Sequence, residues 1–220
     1  MNILQLTEVD STNNELKRLL ANGAPEWTVI CAAKQTAGRG RYDRKWESAE
    51  GNLFLSLLVK PLKIHSNIAL VVGLAALNAA KLFDKKSDFK LKWPNDILKD
   101  GKKLGGILIE AENNNIIIGL GFNIKSAPAY AEKLDADLNA FRDAFLSYFK
   151  KYYEVWNKSG FKTLKNEWLG HAAYLQEKIT IKLENADVTG VFMAVNDEGE
   201  MILDNNGKEL IISSGEIYGC

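Results

Sequence analysis

Hydrophobic positions recur at two periods along this chain, and the stretches where neither period holds carry most of the polar chemistry. Thr12-Asn13-Asn14-Glu15 matches a capping box, and Leu16, Leu19 and Leu20 continue at helical spacing to Asn22-Gly23, which predicts a first helix opening at or beside Thr12. Thr28 to Ala33 and Leu53 to Val59 read as buried strands. Between them, Gln35 to Trp46 is too polar and glycine-rich for either period. Asn67 to Phe83 is apolar on almost every side, as suits a helix packed deep against a sheet. Phe89 to Trp93, Asp96 to Lys99, Leu104 to Glu110 and Ile116 to Phe122 follow as short strands, with Asp100-Gly101 as a hairpin turn.

Asp137 is placed to cap a helix running to Trp156, whose inner face would carry Leu138, Phe141, Phe145, Phe149, Tyr152 and Trp156; this aromatic stripe reads as core. A shorter helix from Lys162 to Leu169 ends at Gly170. After Tyr174 the rhythm changes. Lys178 to Leu183, Val188 to Val195, Met201 to Leu203, Glu209 to Ile212 and Ile217 to Tyr218 read as closely spaced strands. They are separated by the turn chemistry of Glu184-Asn185, Asp197-Glu198-Gly199 and Asn205-Asn206-Gly207. The pattern predicts one main α/β (α+β) domain over residues 1–174 and a small barrel over residues 175–220 that leans on it.

Composition narrows the function classes. At 46% hydrophobic and 25% charged residues the chain has the make-up of an ordinary globular protein with enough apolar material for a core. Lys+Arg and Asp+Glu both number 28, so bulk attraction to nucleic acid is disfavoured. Cys31 and Cys220 lie far apart with no CxxC pair, which suggests neither a disulfide framework nor zinc. Met1 to Glu8 lacks the basic head and apolar stretch of a secretory signal, and the longest apolar run, Ile68 to Leu77, is half a membrane span. The expectation is a cytoplasmic protein with no membrane association. His65 and His171 are isolated, so no metal site is predicted, and Cys31 in its apolar strand reads as a packed thiol.

The richest stretch is Gln35-Thr36-Ala37-Gly38-Arg39-Gly40-Arg41-Tyr42-Asp43-Arg44-Lys45-Trp46. Four cations alternate with glycines there, so backbone N–H groups and guanidinium forks can converge on one polyanion such as a triphosphate. An exposed basic loop, or an RNA-binding loop of the Arg-Gly type, are the competing readings of the same string. There is no GxxxxGK[ST], and Gly38-Arg39-Gly40 lacks the third glycine of GxGxxG, so neither a P-loop nor a Rossmann turn holds the nucleotide.

This loop resembles the glycine-arginine signature of biotin–protein ligases, GRGRxGRxW. Further landmarks stand in the family's order: Ser11-Thr12-Asn13, Lys92-Trp93-Pro94-Asn95-Asp96, Lys103-Leu104-Gly105-Gly106-Ile107-Leu108 and Gly119-Leu120-Gly121-Phe122-Asn123. The resemblance implies a mixed-sheet catalytic domain like that of class II synthetases, followed by an SH3-like β-barrel. It also implies the monofunctional type, without the DNA-binding domain that precedes the catalytic domain in repressor-type relatives, so no operator binding is expected. The implied reaction adenylates biotin with ATP, with Mg²⁺ bridging phosphate oxygens. Biotin then passes to a lysine of a biotin carboxyl carrier protein, with the enzyme a monomer or homodimer.

Residue by residue, the resemblance gives Arg39 and Lys103 the task of stabilising charge where two anions meet. Asp96 becomes the base for the acceptor amine. Biotin would lie against Ser11, Thr12, Asn13, Gln35, Gly38, Arg39, Gly40, Arg41, Lys103, Gly105 and Gly106. The nucleotide would lie against Arg39, Arg41, Arg44, Trp46, Asn95 and Asn123. Plainer readings stand beside these: Ser11 and Thr12 as helix caps, Asn95-Asp96 as turn chemistry, and Gly105-Gly106 as a β-bulge. One departure is Asp43, where the family commonly has glycine; an acidic residue beside phosphate-binding arginines works against tight adenylate retention, although Asp tolerates left-handed backbone angles. Lipoate–protein ligases, and a non-enzymatic nucleic-acid-binding module, are the rival functions.

Overall fold

The structure is a computed structural model describing residues 1–63, 67–183 and 186–218. The expectations for His65, the Glu184-Asn185 turn, Cys220 and the Asp43 side chain lie outside what is described. Seven strands form a mixed sheet in the order β1-β2-β3-β7-β6-β5-β4. They are β1 (Asn2–Val9), β2 (Thr28–Gln35), β3 (Leu53–Val59), β4 (Phe89–Lys92), β5 (Asp96–Lys99), β6 (Lys102–Glu112) and β7 (Asn115–Phe122). Only the β1–β2 pair is parallel, joined by helix α1 (Thr12–Ala21); every other neighbour is antiparallel.

The strands read as continuous apolar runs because both sheet faces are covered. Ile30, Leu58 and Ile117 turn to one face and meet Leu16 of α1. Their chain neighbours Val29, Cys31, Leu57, Val59, Ile116 and Ile118 turn to the other face, toward helices α2 (Ile68–Ala80) and α3 (Leu138–Ser159). Helix α2 is buried at every position except Asn78, as its uniformly apolar sequence requires. Asn78 donates instead to the Leu74 carbonyl and the Tyr152 hydroxyl.

Several expectations are corrected. Strand β1 carried no legible pattern, because it is an edge strand with Ile3 and Leu4 exposed. Its partnership with β2 is a long-range event. Helix α1 is preceded by Ser11 as its N-cap, with no side-chain cap, so the Thr12 capping box does not form. In α3 the buried tyrosine is Tyr153 rather than Tyr152, since 145, 149 and 153 keep the four-residue step. Asp137 caps that helix as expected, accepting from the Ala140 amide at 2.8 Å. The predicted helix from Lys162 divides into a 3-10 turn, Phe161–Thr163, and α4 (Lys165–Gly170), which includes Gly170. Strand β4 stops at Lys92, and the Trp93–Pro94 peptide is cis.

A second, antiparallel sheet has the order β11-β10-β9-β8-β12, with β8 (Lys178–Lys182), β9 (Asp187–Val195), β10 (Met201–Asn205), β11 (Lys208–Ile212) and β12 (Glu216–Tyr218). The two outermost strands are consecutive in the chain. Four spacings of a flat sheet would separate them by about 19 Å, whereas the four residue steps from Ile212 to Glu216 reach only about 14 Å. The sheet must therefore curl. Its inward residues Ile179, Ile181, Phe192, Met201 and Leu203 join the same buried core as α2 and α3. No helix among the described residues is long and apolar enough to cross a membrane.

Candidate active site

One cavity lies on the α1 face of the large sheet, under the Gln35–Trp46 segment. Alternation along the strands decides which residues reach it. Ser56 shares a face with Leu58, Gly119 and Gly121 share one with Ile117, and Asp96 pairs directly with Gly106. Lys103 would face the opposite side of an unbroken β6. However, the β5–β6 register slips so that Asp96 meets Gly106 and Leu98 meets Lys103, leaving Leu104 as the extra residue. This bulge flips the alternation and turns Lys103 to the face of Asp96. Its ammonium lies 2.7 Å from the Asp96 carboxylate.

At the α1 end the cavity is polar and closely bonded. Ser11, Thr12 and Asn13 are buried. Gln35 Oε1 accepts from the Thr12 amide at 2.9 Å and from the Thr12 hydroxyl at 3.1 Å. Ser56 lies within bonding distance of Thr12 Oγ1, at 2.8 Å, and of Asn13 Oδ1. Asn13 Nδ2 donates to Glu110 at 2.7 Å, and Glu110 also receives Lys17 at 2.6 Å and Arg39 at 3.3 Å. Burial raises the Glu110 carboxyl, but the hydrogen bonds from Lys17 and Asn13 and the charges of Lys17 and Arg39 outweigh it, holding the group below its ordinary value. Ser56 has one proton for two acceptors, and Thr12 has given its own to Gln35. The cluster therefore has unmet acceptor capacity, which suits a ligand bearing N–H groups.

The roof is the glycine-arginine loop. Gly40 N donates to the Arg44 carbonyl at 2.7 Å and Trp46 N to the Gly38 carbonyl at 2.9 Å, closing the loop on itself; Tyr42 at its tip takes φ 55°. Trp46 then lies back on the sheet, over two glycines that face each other across β6 and β7. A Cβ on Gly121 would come within 2.5 Å of the indole, and one on Gly106 within 2.9 Å. Lys103 Nζ is 5.4 Å from the Trp46 ring centroid. Two residues before Gly121, Gly119 does the same for Asn13, whose Oδ1 would lie 2.6 Å from an added Cβ.

The second sheet completes the rim. Arg41 donates to the Gly215 carbonyl at 3.2 Å and approaches Asn95 Oδ1 at 3.4 Å. Arg44 makes a bidentate pair with Glu216 and bonds Tyr218. Burial raises the Glu216 carboxyl, but the hydrogen bonds from Arg44 and Tyr218 bring it below its ordinary value. Asn95 donates to the Ile107 carbonyl at 2.9 Å, and Asn123 to the Glu132 carbonyl at 3.0 Å, so both also pin the surrounding backbone.

Of the residues expected at a site, Ser11, Thr12, Asn13, Gln35, Arg39, Gly40, Arg41, Arg44, Trp46, Asn95, Asp96, Lys103, Gly106 and Asn123 line this cavity. Gly38 and Gly105 do not. Gly105 is small because an added Cβ would strike Phe122 at 2.6 Å, which is packing within the sheet, and Gly38 is hemmed in by Ser48 at 2.8 Å. The reading of Gly105-Gly106 as a plain bulge was close: the bulge is at Leu104, and its effect is to aim Lys103. Ser56, Glu110 and Glu216 were missed. Ser56 is the one polar residue in Leu53–Val59, and that interruption was the available signal. Cys31 is packed in the core, where burial pushes its thiol up to about 11.

The family model described as the biotin/lipoate A/B protein ligase family matches residues 6–123. The chain is 32% identical over 233 residues to the bifunctional ligase/repressor BirA of Bacillus subtilis, covering 95% of this chain and 71% of that protein. It is 30% identical over 244 residues to the biotin–[acetyl-CoA-carboxylase] ligase of Paracoccus denitrificans, covering 97% and 98%. Among solved structures, the biotin protein ligase of Aquifex aeolicus in complex with biotin and ATP superposes with a TM-score of 0.89 at 29% identity, covering 99% of this chain and 97% of that one.

Proposed function

The chain belongs to the biotin/lipoate A/B protein ligase family, and on that premise we propose that it is a biotin–protein ligase using ATP and biotin to make biotinyl-AMP and then a biotinylated acceptor. The observation that carries the reading is one continuous cavity with N–H-accepting groups at the α1 end and the Lys103–Asp96 pair under a cationic loop. In the first step the biotin carboxylate attacks the α-phosphate, and the bond to pyrophosphate breaks. Lys103 and Arg39 supply positive charge where the two anions meet, with Arg41 and Arg44 on the nucleotide side. In the second step the acceptor amine attacks the adenylate carbonyl, AMP leaves, and the amine proton passes to Asp96. That carboxylate stands 2.7 Å from the cation that polarises the carbonyl.

The loop and Trp46 close over the mixed anhydride and keep water from it. Mg²⁺ belongs to the proposal as the companion of the triphosphate. Phosphate oxygens and water would supply most of its ligands, with at most one or two carboxylates beside them. The acceptor is a biotin carboxyl carrier domain, in a reaction involving neither DNA nor membrane. The catalytic unit spans residues 1–174 and the curled sheet belongs to residues 175–220.

The rival acid is lipoate. Its dithiolane ring has no N–H to give, and the unmet acceptors around Thr12, Asn13 and Ser56 favour the ureido ring of biotin. Pyrophosphate exchange into ATP, measured with biotin, with lipoate and with neither, tests the proposal. Biotin alone should support exchange, and Lys103→Ala should lower it by at least ~100-fold, the scale of a lost charge-stabilising donor. Exchange with lipoate but not biotin, or an undiminished Lys103→Ala enzyme, would overturn it.

A further inference from the structure

Glu110 has no place in the chemistry just described, yet three different side chains converge on its carboxylate beside the cavity. It sits near the end of β6, on the same face as Gly106 and Leu108. It accepts from Asn13 at 2.7 Å, Lys17 at 2.6 Å and Arg39 at 3.3 Å. Lys17 lies one helical turn after Asn13 on α1, so two side chains of that helix converge on one carboxylate.

An amide side chain has one accepting end and one donating end, and which end faces a ligand depends on what holds the other. Here the carboxylate can only accept. It therefore fixes Asn13 Nδ2 on itself and leaves Oδ1 toward Ser56 and Gly119, the latter a residue of the cavity wall. From there the chain of bonds runs on to Thr12 and Gln35. Without Glu110 the amide is free to turn its donor end inward, which would oppose the N–H groups of a ureido ring.

We infer that Glu110 is a positioning residue that sets the polarity of the Asn13–Ser56–Thr12–Gln35 hydrogen-bond chain and so makes this end of the cavity selective for an N–H-bearing heterocycle. The same carboxylate, through Arg39, also ties the first residues of the glycine-arginine loop to α1. This second tie is partly redundant, because Arg39 bonds Asn14 at 2.8 Å. Arg39, which also lines the cavity, is thereby held between α1 and β6. The inference rests on the biotin-ligase reading.

The test measures KM for biotin and for ATP separately in Glu110→Leu and Glu110→Gln, each also combined with Asn13→Ala. Glu110→Leu should raise KM for biotin by roughly 10- to 150-fold, the scale of a lost hydrogen bond to a charged group, and should change KM for ATP much less. Glu110→Gln keeps an accepting oxygen and should restore most of the affinity even if the leucine variant folds poorly. In the Asn13→Ala background the Glu110 substitutions should add less than ~2-fold, because the residue they act through is gone. Equal losses in both KM values and kcat, no rescue by glutamine, or fully additive effects would each refute the assignment. A parent protein inert toward biotin but active with another acid overturns the functional reading and this inference together.

Discussion

Gly121→Ala tests the docking of the roof directly. The added Cβ would stand 2.5 Å from Trp46 Cε2 and 2.6 Å from Cζ2, where comfortable carbon contacts need about 3.5–4.0 Å. The indole cannot slide along the sheet to escape, since a neighbouring glycine, Gly106, is occupied by the same ring. It must lift by about 1 Å, and overpacking of this kind costs about 1–3 kcal/mol. Lys103 would lose its place over the ring at the same time, a further ~0.5–1 kcal/mol at a partly exposed site. Together these weaken docking by about 1.5–4 kcal/mol, which lowers the docking equilibrium constant by roughly 10- to 1,000-fold. The sheet underneath is untouched. The expected outcome is therefore tryptic cleavage at Arg39, Arg41, Arg44 and Lys45 at least ~5-fold faster, a KM for ATP raised by a similar factor, and a nearly unchanged melting temperature. Gly170→Ala, where an added Cβ meets nothing within 4 Å, is the control. A Gly121→Ala protein with loop cleavage and KM for ATP both at parental values would show that Trp46 docking does not govern the roof.

Removing the Arg44 anchor by Glu216→Ala should shift the melting temperature by less than about 4 °C, because Arg44 is 53% exposed and such pairs contribute at most about 1 kcal/mol; trypsin should nevertheless cut after Arg44 faster. Burial, then the neighbouring Lys81 charge, lowers the pKa of His171 from 6.5. A depressed histidine contributes stability that is full above its unfolded pKa and lost as pH falls through the folded one. The drop in melting temperature between about pH 7.5 and pH 5 should thus be smaller in His171→Asn than in the parent. Cys31, buried and pushed up to about 11, should resist iodoacetamide in the native protein and react fully in denaturant, as peptide-level mass spectrometry would read.

Much of the fold was legible because it rests on local periodicity. The continuous apolar runs of Leu53–Val59 and Asn115–Phe122, the all-apolar α2 and the Asp137 cap each need only neighbouring residues to be recognised. Turn chemistry was equally local: Asp100-Gly101 and Asn206-Gly207 take positive φ at both residues, as such pairs tolerate. The site was legible where it is carried by short continuous strings, above all the glycine-arginine loop; that Gly119 and Gly121 make room for Asn13 and Trp46 was not.

What the sequence by itself determined is most of the inventory: the strands and helices other than β1, and the short strings that hold the cations, amides and glycines. Only the tertiary structure decided how that inventory is aimed. The extra residue at Leu104 that turns Lys103 onto Asp96 is a matter of strand register, and the pairing of β1 with β2, the Glu110 carboxylate on Asn13 and Lys17, and the Glu216 grip on Arg44 join residues far apart in the chain. Such contacts depend on register and packing between whole elements, and a one-residue slip in register reverses the face of every side chain without altering the sequence at all.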